Sequence, residues 1–162
     1  MANGTGINTS SYEYFPAITA DGKTFMFTRN IRESEGVNAP QNEDFFMSNK
    51  VGDAWQKAYP ISSVNTAGNE GAPTLSVDGQ FMFFASCMEQ TGDYGSQDRK
   101  GYGSCDIFYA QKINGKWTKP VNAGPQINTR NWETQPSFSS DGKTLYFIRG
   151  SVTREGIKNP DI

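Results

Sequence analysis

Short apolar runs rich in aromatic residues alternate along the chain with breaks rich in Gly, Asn and Asp. Three of these runs follow an Asp-Gly pair, which is a strong signal for the tight turn of a β-hairpin. Each pair therefore predicts a first strand before it and an aromatic second strand after it. No stretch carries a sustained period of 3.6 residues, so few helices are expected. The predicted first strands lie near 16–18, 73–75 and 136–138, and the second strands near 25–27, 81–84 and 145–148.

The hairpin belongs to a frame that occurs three times. Each copy runs Asn-Thr, Glu, Pro, Asp-Gly and an aromatic run, and the Asn precedes the Asp by 13 residues in every copy. The Asp-Gly pairs lie 57 and 63 residues apart, and repeats of this size are typical of solenoids, propellers or arrays. The Asn and Asp residues are Asn8 and Asp21, Asn65 and Asp78, and Asn128 and Asp141.

Two further strands are predicted in each complete copy. A third strand follows a variable loop, near 44–47 and 106–109, and a Gly-Trp turn leads to a short fourth strand near 58–61 and 119–121. Four short antiparallel strands per repeat are the content of a propeller blade. The predicted fold class is all-β, a partial β-propeller of four-stranded antiparallel blades with two full blades and part of a third. The blades are expected over about 10–63, 67–126 and 130–162.

Composition narrows the classes of function. Lys and Arg number 15 against 17 Asp and Glu, so no strong field points to nucleic acid or to an anionic membrane. No apolar stretch approaches the roughly 18 residues of a membrane span. The chain has no His, which removes the commonest general base and excludes a Ser-His-Asp or Cys-His apparatus. We expect no catalytic residues, no metal site and no cofactor in this segment.

The repeated frame resembles the PD40 (WD40-like) β-propeller repeats of bacterial envelope proteins, which are relatives of the TolB propeller. Asn-Thr, Glu, Pro, Asp-Gly and the aromatic run carry the resemblance, together with Asp-Ile-Phe and Gly-x-Trp later in the repeat; it covers about residues 7–162. It is most similar to the version found in OmpA-family lipoproteins of Bacteroidetes, where the propeller lies beside helical repeats and a peptidoglycan-binding domain. PorE-like members of that family anchor the type IX secretion apparatus to peptidoglycan.

This resemblance implies a non-catalytic periplasmic propeller that binds other envelope or secretion-system proteins. It implies association with the outer membrane through parts of the protein outside this chain, and an architectural role for the repeated Asp-Gly and Pro positions. The alternative functions are a propeller that belongs to an enzyme (peptidase-associated or a polysaccharide lyase) and a carbohydrate-binding propeller.

The two cysteines lie at facing strand ends. Cys87 ends the second strand of the second copy and Cys105 opens its third strand, so the two are predicted to face each other across a 17-residue loop. A disulfide closing such a loop stabilises a fold by roughly 3 kcal/mol and is typical of an oxidising compartment such as the periplasm. The alternative is a pair of reduced thiols; two cysteines without His do not favour zinc.

Four residues are candidates for contact with a partner. Arg29 and Arg149 both lie eight residues after the Asp of Asp-Gly, where they are placed to bind a carboxylate or a carbonyl. The alternative is a solvated arginine at a strand end. Tyr94 and Tyr102 lie in the long loop and are expected to contact a protein, because exposed aromatic residues recur at interfaces. The alternative is that the loop packs on itself.

Other conspicuous residues are interpreted as structural. Glu13, Glu70 and Glu133 occupy the same place in every copy, whereas glycoside hydrolysis needs two unlike carboxylates in one cleft. We expect them at the junctions between blades. The stretch 101–104 precedes a strand and not a helix, so a turn is favoured over a phosphate-binding loop. Trp55 and Trp117 recur in register and are expected in the core.

Both ends of the chain are expected to fall inside blades. Asp161-Ile162 aligns with Asp106-Ile107, so the chain is expected to stop two residues into a third strand. Residues 2–9 align with 122–129, the tail of a blade. The expectation is a segment of a larger ring whose open strand edges pair with the remainder of its own propeller or with another chain.

Overall fold

The computed structural model describes residues 4–32, 41–88 and 93–162, and in these ranges the chain forms strands and turns without a helix. The first repeat contains β1 (Tyr12–Ile18), β2 (Thr24–Arg32), β3 (Gln41–Val51), β4 (Ala54–Trp55) and β5 (Tyr59–Pro60). The second contains β6 (Asn69–Leu75), β7 (Phe81–Cys87), β8 (Cys105–Ile113), β9 (Lys116–Trp117) and β10 (Val121–Asn122). The third contains β11 (Trp132–Phe138), β12 (Leu145–Thr153) and β13 (Gly156–Asp161).

Each repeat forms one antiparallel blade. In the first blade the order is β1-β2-β3, and β4 and β5 both pair with β3 to complete the fourth strand. The second blade repeats this order with β6-β7-β8 and the short strands β9 and β10, and the third consists of β11-β12-β13. The all-β fold class predicted from the sequence is confirmed: the molecule is a partial β-propeller. None of the described residues forms a helix long and apolar enough to cross a membrane.

The third strand of the last blade is longer than the alignment predicts. Asp161 pairs with Arg149, which is the register in which Asp106 pairs with Ser86 in the second blade. The sequence alignment therefore places Asp161 at the correct position of the third strand. The strand, however, begins at Gly156, because residues 153–156 form a tight hairpin turn directly after β12.

The Asp-Gly turns and the repeated prolines have clear local roles. Gly22, Gly79 and Gly142 adopt φ of 66° to 68°, a left-handed conformation that Gly adopts without steric cost. Each turn is closed by a bond from the Gly N–H to the carbonyl of the Ser or Thr three residues earlier. The residue before each Pro also has positive φ, and the strand register shifts there. The prolines thus mark a β-bulge, where their missing N–H costs no ladder bond.

The core lies between the first two blades. Phe45 of the first blade packs edge-on against Phe84 of the second, with ring centroids 5.2 Å apart, and Phe84 stacks with Phe108 at 6.2 Å. Trp117 is buried in this cluster as predicted, whereas Trp55 is half-buried against Phe25. The buried members of the cluster are Met26, Phe45, Met47, Ile61, Val64, Met82, Phe84, Tyr94, Phe108, Ala110 and Trp117.

Candidate functional site

Each blade begins with a glutamate that binds the Thr of the Asn-Thr frame. In the second blade the backbone N–H of Thr66 donates to Oε2 of Glu70 at 3.0 Å, and the Thr66 hydroxyl donates to Oε1 at 2.6 Å. Bonds to an ionised carboxylate are about twice as strong as neutral ones. The same two bonds join Thr129 to Glu133 at 3.0 and 2.6 Å, and Thr9 to Glu13 at 3.3 and 2.6 Å.

In the first and third blades an arginine of the second strand completes this arrangement. Arg29 lies directly across from Glu13 in the strand register, and its Nε donates to Oε1 at 2.9 Å. Arg149 donates to Glu133 at the same distance, and its Nη2 donates to the carbonyl of Ile127 at 2.6 Å. We call the Thr, the Glu and the guanidinium together the Glu–Arg cluster of a blade. It ties the second strand to the segment that enters the blade.

The second blade builds the same cluster with an arginine from another part of the chain. Its strand position carries Ser86, and Arg99 reaches in from the loop between β7 and β8. Nη1 of Arg99 donates to Glu70 and, at 3.1 Å, to Ser86, while Nη2 donates to the carbonyl of Val64 at 2.7 Å. Val64 occupies the repeat position of Ile127. The guanidinium is thus preserved in space although its place in the sequence has changed.

Burial dominates the electrostatics of this cluster. Glu70 is fully buried, and the Arg99 side chain is only 4% exposed. Burial raises the pKa of Glu70 to about 7, against the lowering effect of the nearby Arg99 and of the bonds from Thr66. Because a buried carboxylate loses its hydration, the guanidinium of Arg99 limits how far burial raises the pKa of Glu70. The repeated glutamates therefore have the structural role at the blade junctions that the sequence predicts.

The loop that carries Arg99 packs tightly on the second blade. Tyr94 is only 3% exposed, and its hydroxyl donates to the carbonyl of Gly103. A Cβ at Gly101 would come within 2.1 Å of the Tyr94 ring, and one at Gly103 within 2.0 Å of the Asn131 carbonyl. Burial, with the nearby Asp106, also raises the pKa of the Tyr94 phenol. The prediction that Tyr94 contacts a partner is wrong in its premise, because this side chain is part of the core.

The glycine-rich turn binds a carboxylate of its own chain. The N–H groups of Tyr102 and Gly103 donate to Oδ2 and Oδ1 of Asp106 at 2.7 and 3.0 Å. Asn122 adds a third bond to Oδ2 at 2.7 Å. The amides that a phosphate would need are already bonded to Asp106. This supports the interpretation of 101–104 as a turn.

The predicted disulfide is present. Cys87 and Cys105 are bonded to each other and are paired in the register of β7 and β8. The bond closes the loop that carries Tyr94, Arg99 and Tyr102. Together with Asp106 and Arg99, it ties this loop to the blade at three places.

A groove beside this loop is the candidate binding surface. It has a volume of about 360 Å³, and Tyr102 at its edge is 51% exposed. Met88 and Val152 are also exposed there, and Lys100 and Arg130 add positive charge. Within residues 4–32, 41–88 and 93–162, no group of three or more Cys, Asp or Glu side chains is arranged to hold a metal ion.

Similarity to known proteins is found among solved structures. No protein-family model matches the chain, and no curated protein matches it. Among solved structures, TolB from Acinetobacter baumannii is similar at a TM-score of 0.48 and 14% sequence identity. The similarity covers 91% of this chain and 32% of the TolB chain, so the chain spans about a third of the length of that protein.

The predicted contact residues differ in their exposure and in their bonding partners. Tyr102 lies exposed at the groove. The guanidinium groups of Arg29 and Arg149 are bonded to glutamates within their own blades, and the side chain of Arg29 is only 11% exposed. Arg99 was missed by the sequence analysis. The sequence does contain a signal for Arg99: the second copy has Ser86 where the other two copies have an arginine. Glu70 therefore lacks a cation on the neighbouring strand, and a buried glutamate needs one from elsewhere in the chain.

Proposed function

We propose that this chain is a non-catalytic β-propeller module that binds other proteins as part of a cell-envelope complex. The observation that carries this proposal is the exposed surface around Tyr102, on a loop fixed by a disulfide. Tyr, Met and Arg are enriched at protein interfaces, and Tyr102, Met88 and Arg130 lie together at the groove. A loop held in place before binding loses less conformational entropy when a partner binds.

The disulfide and the repeat resemblance support a finer proposal. Disulfides persist in oxidising compartments, which favours the periplasm for Cys87–Cys105. The PD40-type frame resembles that of the OmpA-family lipoproteins, so we propose that the protein is the peptidoglycan-anchored component of the type IX secretion system. Its partners are then other envelope or secretion-system proteins. Its attachment to the outer membrane is supplied by parts of the protein outside this chain.

Photo-cross-linking from the groove tests the proposal. A photoreactive phenylalanine analogue at Tyr102 in the intact protein, expressed in its own cells, is expected to cross-link to periplasmic envelope proteins. The matched control is Tyr59, an exposed tyrosine of β5. The same cross-linked products from both positions, or none from Tyr102, would contradict the proposal.

A binding measurement with the cross-linked partner completes the test. Truncation of an aromatic hot spot costs about 2 kcal/mol or more, so Tyr102→Ala is expected to weaken binding about 30-fold. The melting temperature should stay unchanged, and Tyr59→Ala should bind like wild type. Titration with divalent metals and uronic-acid oligosaccharides is the counter-test, because saturable binding of either would contradict a pure scaffold.

A further inference from the structure

The groove beside Tyr102 lies where the second blade meets the third, and its backbone is fixed. Three segments are joined there by backbone bonds. The N–H of Met88, just after β7, donates to the Ser104 carbonyl at 2.7 Å, and the N–H of Ser104 donates to the Asn131 carbonyl at 3.0 Å. On this framework the side chains of Met88 and Tyr102 are 45% and 51% exposed. The groove thus combines a held backbone with two exposed side chains that have large apolar parts.

Two exposed cations, Lys100 and Arg130, also line the groove. Neither side chain takes part in the ion pairs formed among the described residues. The buried Arg99 differs from them, because Glu70 balances its charge. Asp93 is the acidic residue of the lining, and its Oδ1 accepts from a backbone N–H of its own loop at 2.8 Å. One acidic side chain against two exposed cations leaves the groove with a net positive charge.

The turn that carries Arg130 occurs in every blade, and the other two copies form it without a cation. The residue after the frame Thr is Ser10 in the first copy and Ala67 in the second. The same bond closes the turn in all three copies, from the N–H two residues after the Thr to the Thr hydroxyl, at 3.1 Å. The fold therefore does not need an arginine at this position.

The ammonium group of Lys100 is not needed by the fold either. Lys100 is held through its backbone, because its carbonyl accepts from Nδ2 of Asn122 at 3.2 Å while its side chain is exposed. Two segments far apart in the sequence thus bring cations without a structural role to one groove. Arginine and lysine placed in this way are complementary to carboxylates, and arginine binds them with two parallel bonds.

We propose that the groove binds an acidic peptide segment of the partner protein. Arg130 and Lys100 pair with Asp or Glu side chains of this segment. Tyr102 and Met88 pack on an apolar residue next to them. Complementary charges of this kind speed the encounter of two proteins and fix the register in which they bind. This inference rests on the function proposed above, since it names the chemistry of the protein that the groove binds.

Selection of peptides displayed on phage tests the ligand chemistry. A library of random short peptides is selected on the intact protein and, in parallel, on its Lys100→Glu/Arg130→Glu variant. The wild-type protein should enrich peptides with Asp or Glu beside an aromatic or aliphatic residue. The variant should enrich basic peptides instead. No enrichment on the wild-type protein, enrichment of uncharged or basic peptides on it, or the same acidic peptides from both proteins would overturn the proposal.

The affinity of an enriched acidic peptide, measured by fluorescence anisotropy, gives the size of the effect. Arg130→Ala should weaken binding by about 2- to 5-fold, as expected for an exposed ion pair. Its melting temperature should not change, because Ala67 occupies the same turn in the second copy. Arg130→Glu should weaken binding by about 10-fold or more, since like charges then face each other. The matched control is Lys116→Glu, an exposed cation of β9 at the far end of β8. Equal affinities of these two glutamate variants would contradict the inference.

Salt gives an independent readout of the same pairing. Raising NaCl from about 0.05 to about 0.5 M should weaken binding of the peptide to the wild-type protein, because salt screens exposed charges. The Lys100→Ala/Arg130→Ala variant should respond less. An equal response of both proteins would count against the pairing. Displacement of the peptide by a uronic-acid oligosaccharide would assign the groove to a carbohydrate and overturn the proposal.

Cross-linking from Tyr102 distinguishes a failure of this inference from a failure of the proposed function. If envelope proteins are captured equally well by the protein with and without Lys100→Glu/Arg130→Glu, the groove binds a protein but not through acidic side chains. The inference is then wrong and the proposed function stands. If nothing is captured from Tyr102 while acidic peptides still bind in the groove, the proposed function fails and the chemistry of the groove stands.

Discussion

Replacement of Arg99 by Ala removes the guanidinium that pairs with Glu70. Glu70 is fully buried and lies directly across from Ser86 in the strand register, so Ser86 offers it no charge. Removing one partner of a buried ion pair costs about 3–5 kcal/mol, because the remaining charge is left without compensation. The Val64 carbonyl also loses a bond of 2.7 Å. We expect the free energy of unfolding to fall by about 3–5 kcal/mol.

The loss should depend on pH. Without Arg99 the pKa of Glu70 rises above the value of about 7 that it has beside the guanidinium. At pH 5 the carboxyl is then protonated in the folded protein and carries no uncompensated charge. At pH 8 the folded protein must either bury the charge or take up a proton. Urea unfolding followed by tryptophan fluorescence should therefore show a larger loss at pH 8 than at pH 5.

A relocated arginine is the decisive variant. Ser86→Arg combined with Arg99→Ala puts the guanidinium where the first and third blades have it, across from the glutamate. At least half of the lost stability should return. The control Arg154→Ala removes an exposed arginine and should change stability by less than about 0.5 kcal/mol. If Arg99→Ala costs less than about 1 kcal/mol, as a surface ion pair does, or if the double variant is no more stable than the single one, the reasoning is refuted.

Three further predictions follow from the same contacts. Reduction of Cys87–Cys105, or replacement of both residues by Ala, should lower stability by roughly 3 kcal/mol and make the loop a protease site; equal midpoints of urea unfolding with and without reductant would contradict this. Asn128→Ala should cost about 1–3 kcal/mol for each buried group left unsatisfied, and the Ile107 amide should lose its protection from hydrogen exchange. Burial raises the pKa of Glu70 from 4.5 to about 7, so the folded state binds the carboxyl proton more tightly than the unfolded state does. The stabilisation from this bound proton is complete below pH 4.5 and is lost as the pH rises through 7. Glu70→Gln should therefore flatten the fall of unfolding free energy between pH 5 and 8, and an unchanged slope would contradict the shift.

The features that the sequence predicted are set by local chemistry. The Asp-Gly hairpins depend on a Gly with positive φ at the turn, and the three turns form as expected. The facing of Cys87 and Cys105 follows from strands that are neighbours along the chain. Each of these predictions depends on residues that are close in sequence or that recur at the same position of each repeat. Alignment of the three repeats reveals such residues.

The features that the sequence did not predict depend on the packing of a loop. Arg99 lies in an insertion without a counterpart in the other copies, so alignment assigns it no position. Tyr94 was expected at the surface because it lies in a loop. Its burial depends on Gly101, whose missing side chain admits the ring. Such contacts are decided by the volume left between blades, which no local pattern encodes.

Amide hydrogen exchange measured by NMR tests the central claim, that the three repeats form successive blades, most directly. The account predicts slow exchange in β2, β7 and β12, the second strands of the three blades. It also predicts slow exchange at the Phe45 and Ile107 amides, which donate to the side chains of Asn65 and Asn128. Protection that does not recur from repeat to repeat, or fast exchange at both of these amides, would contradict it.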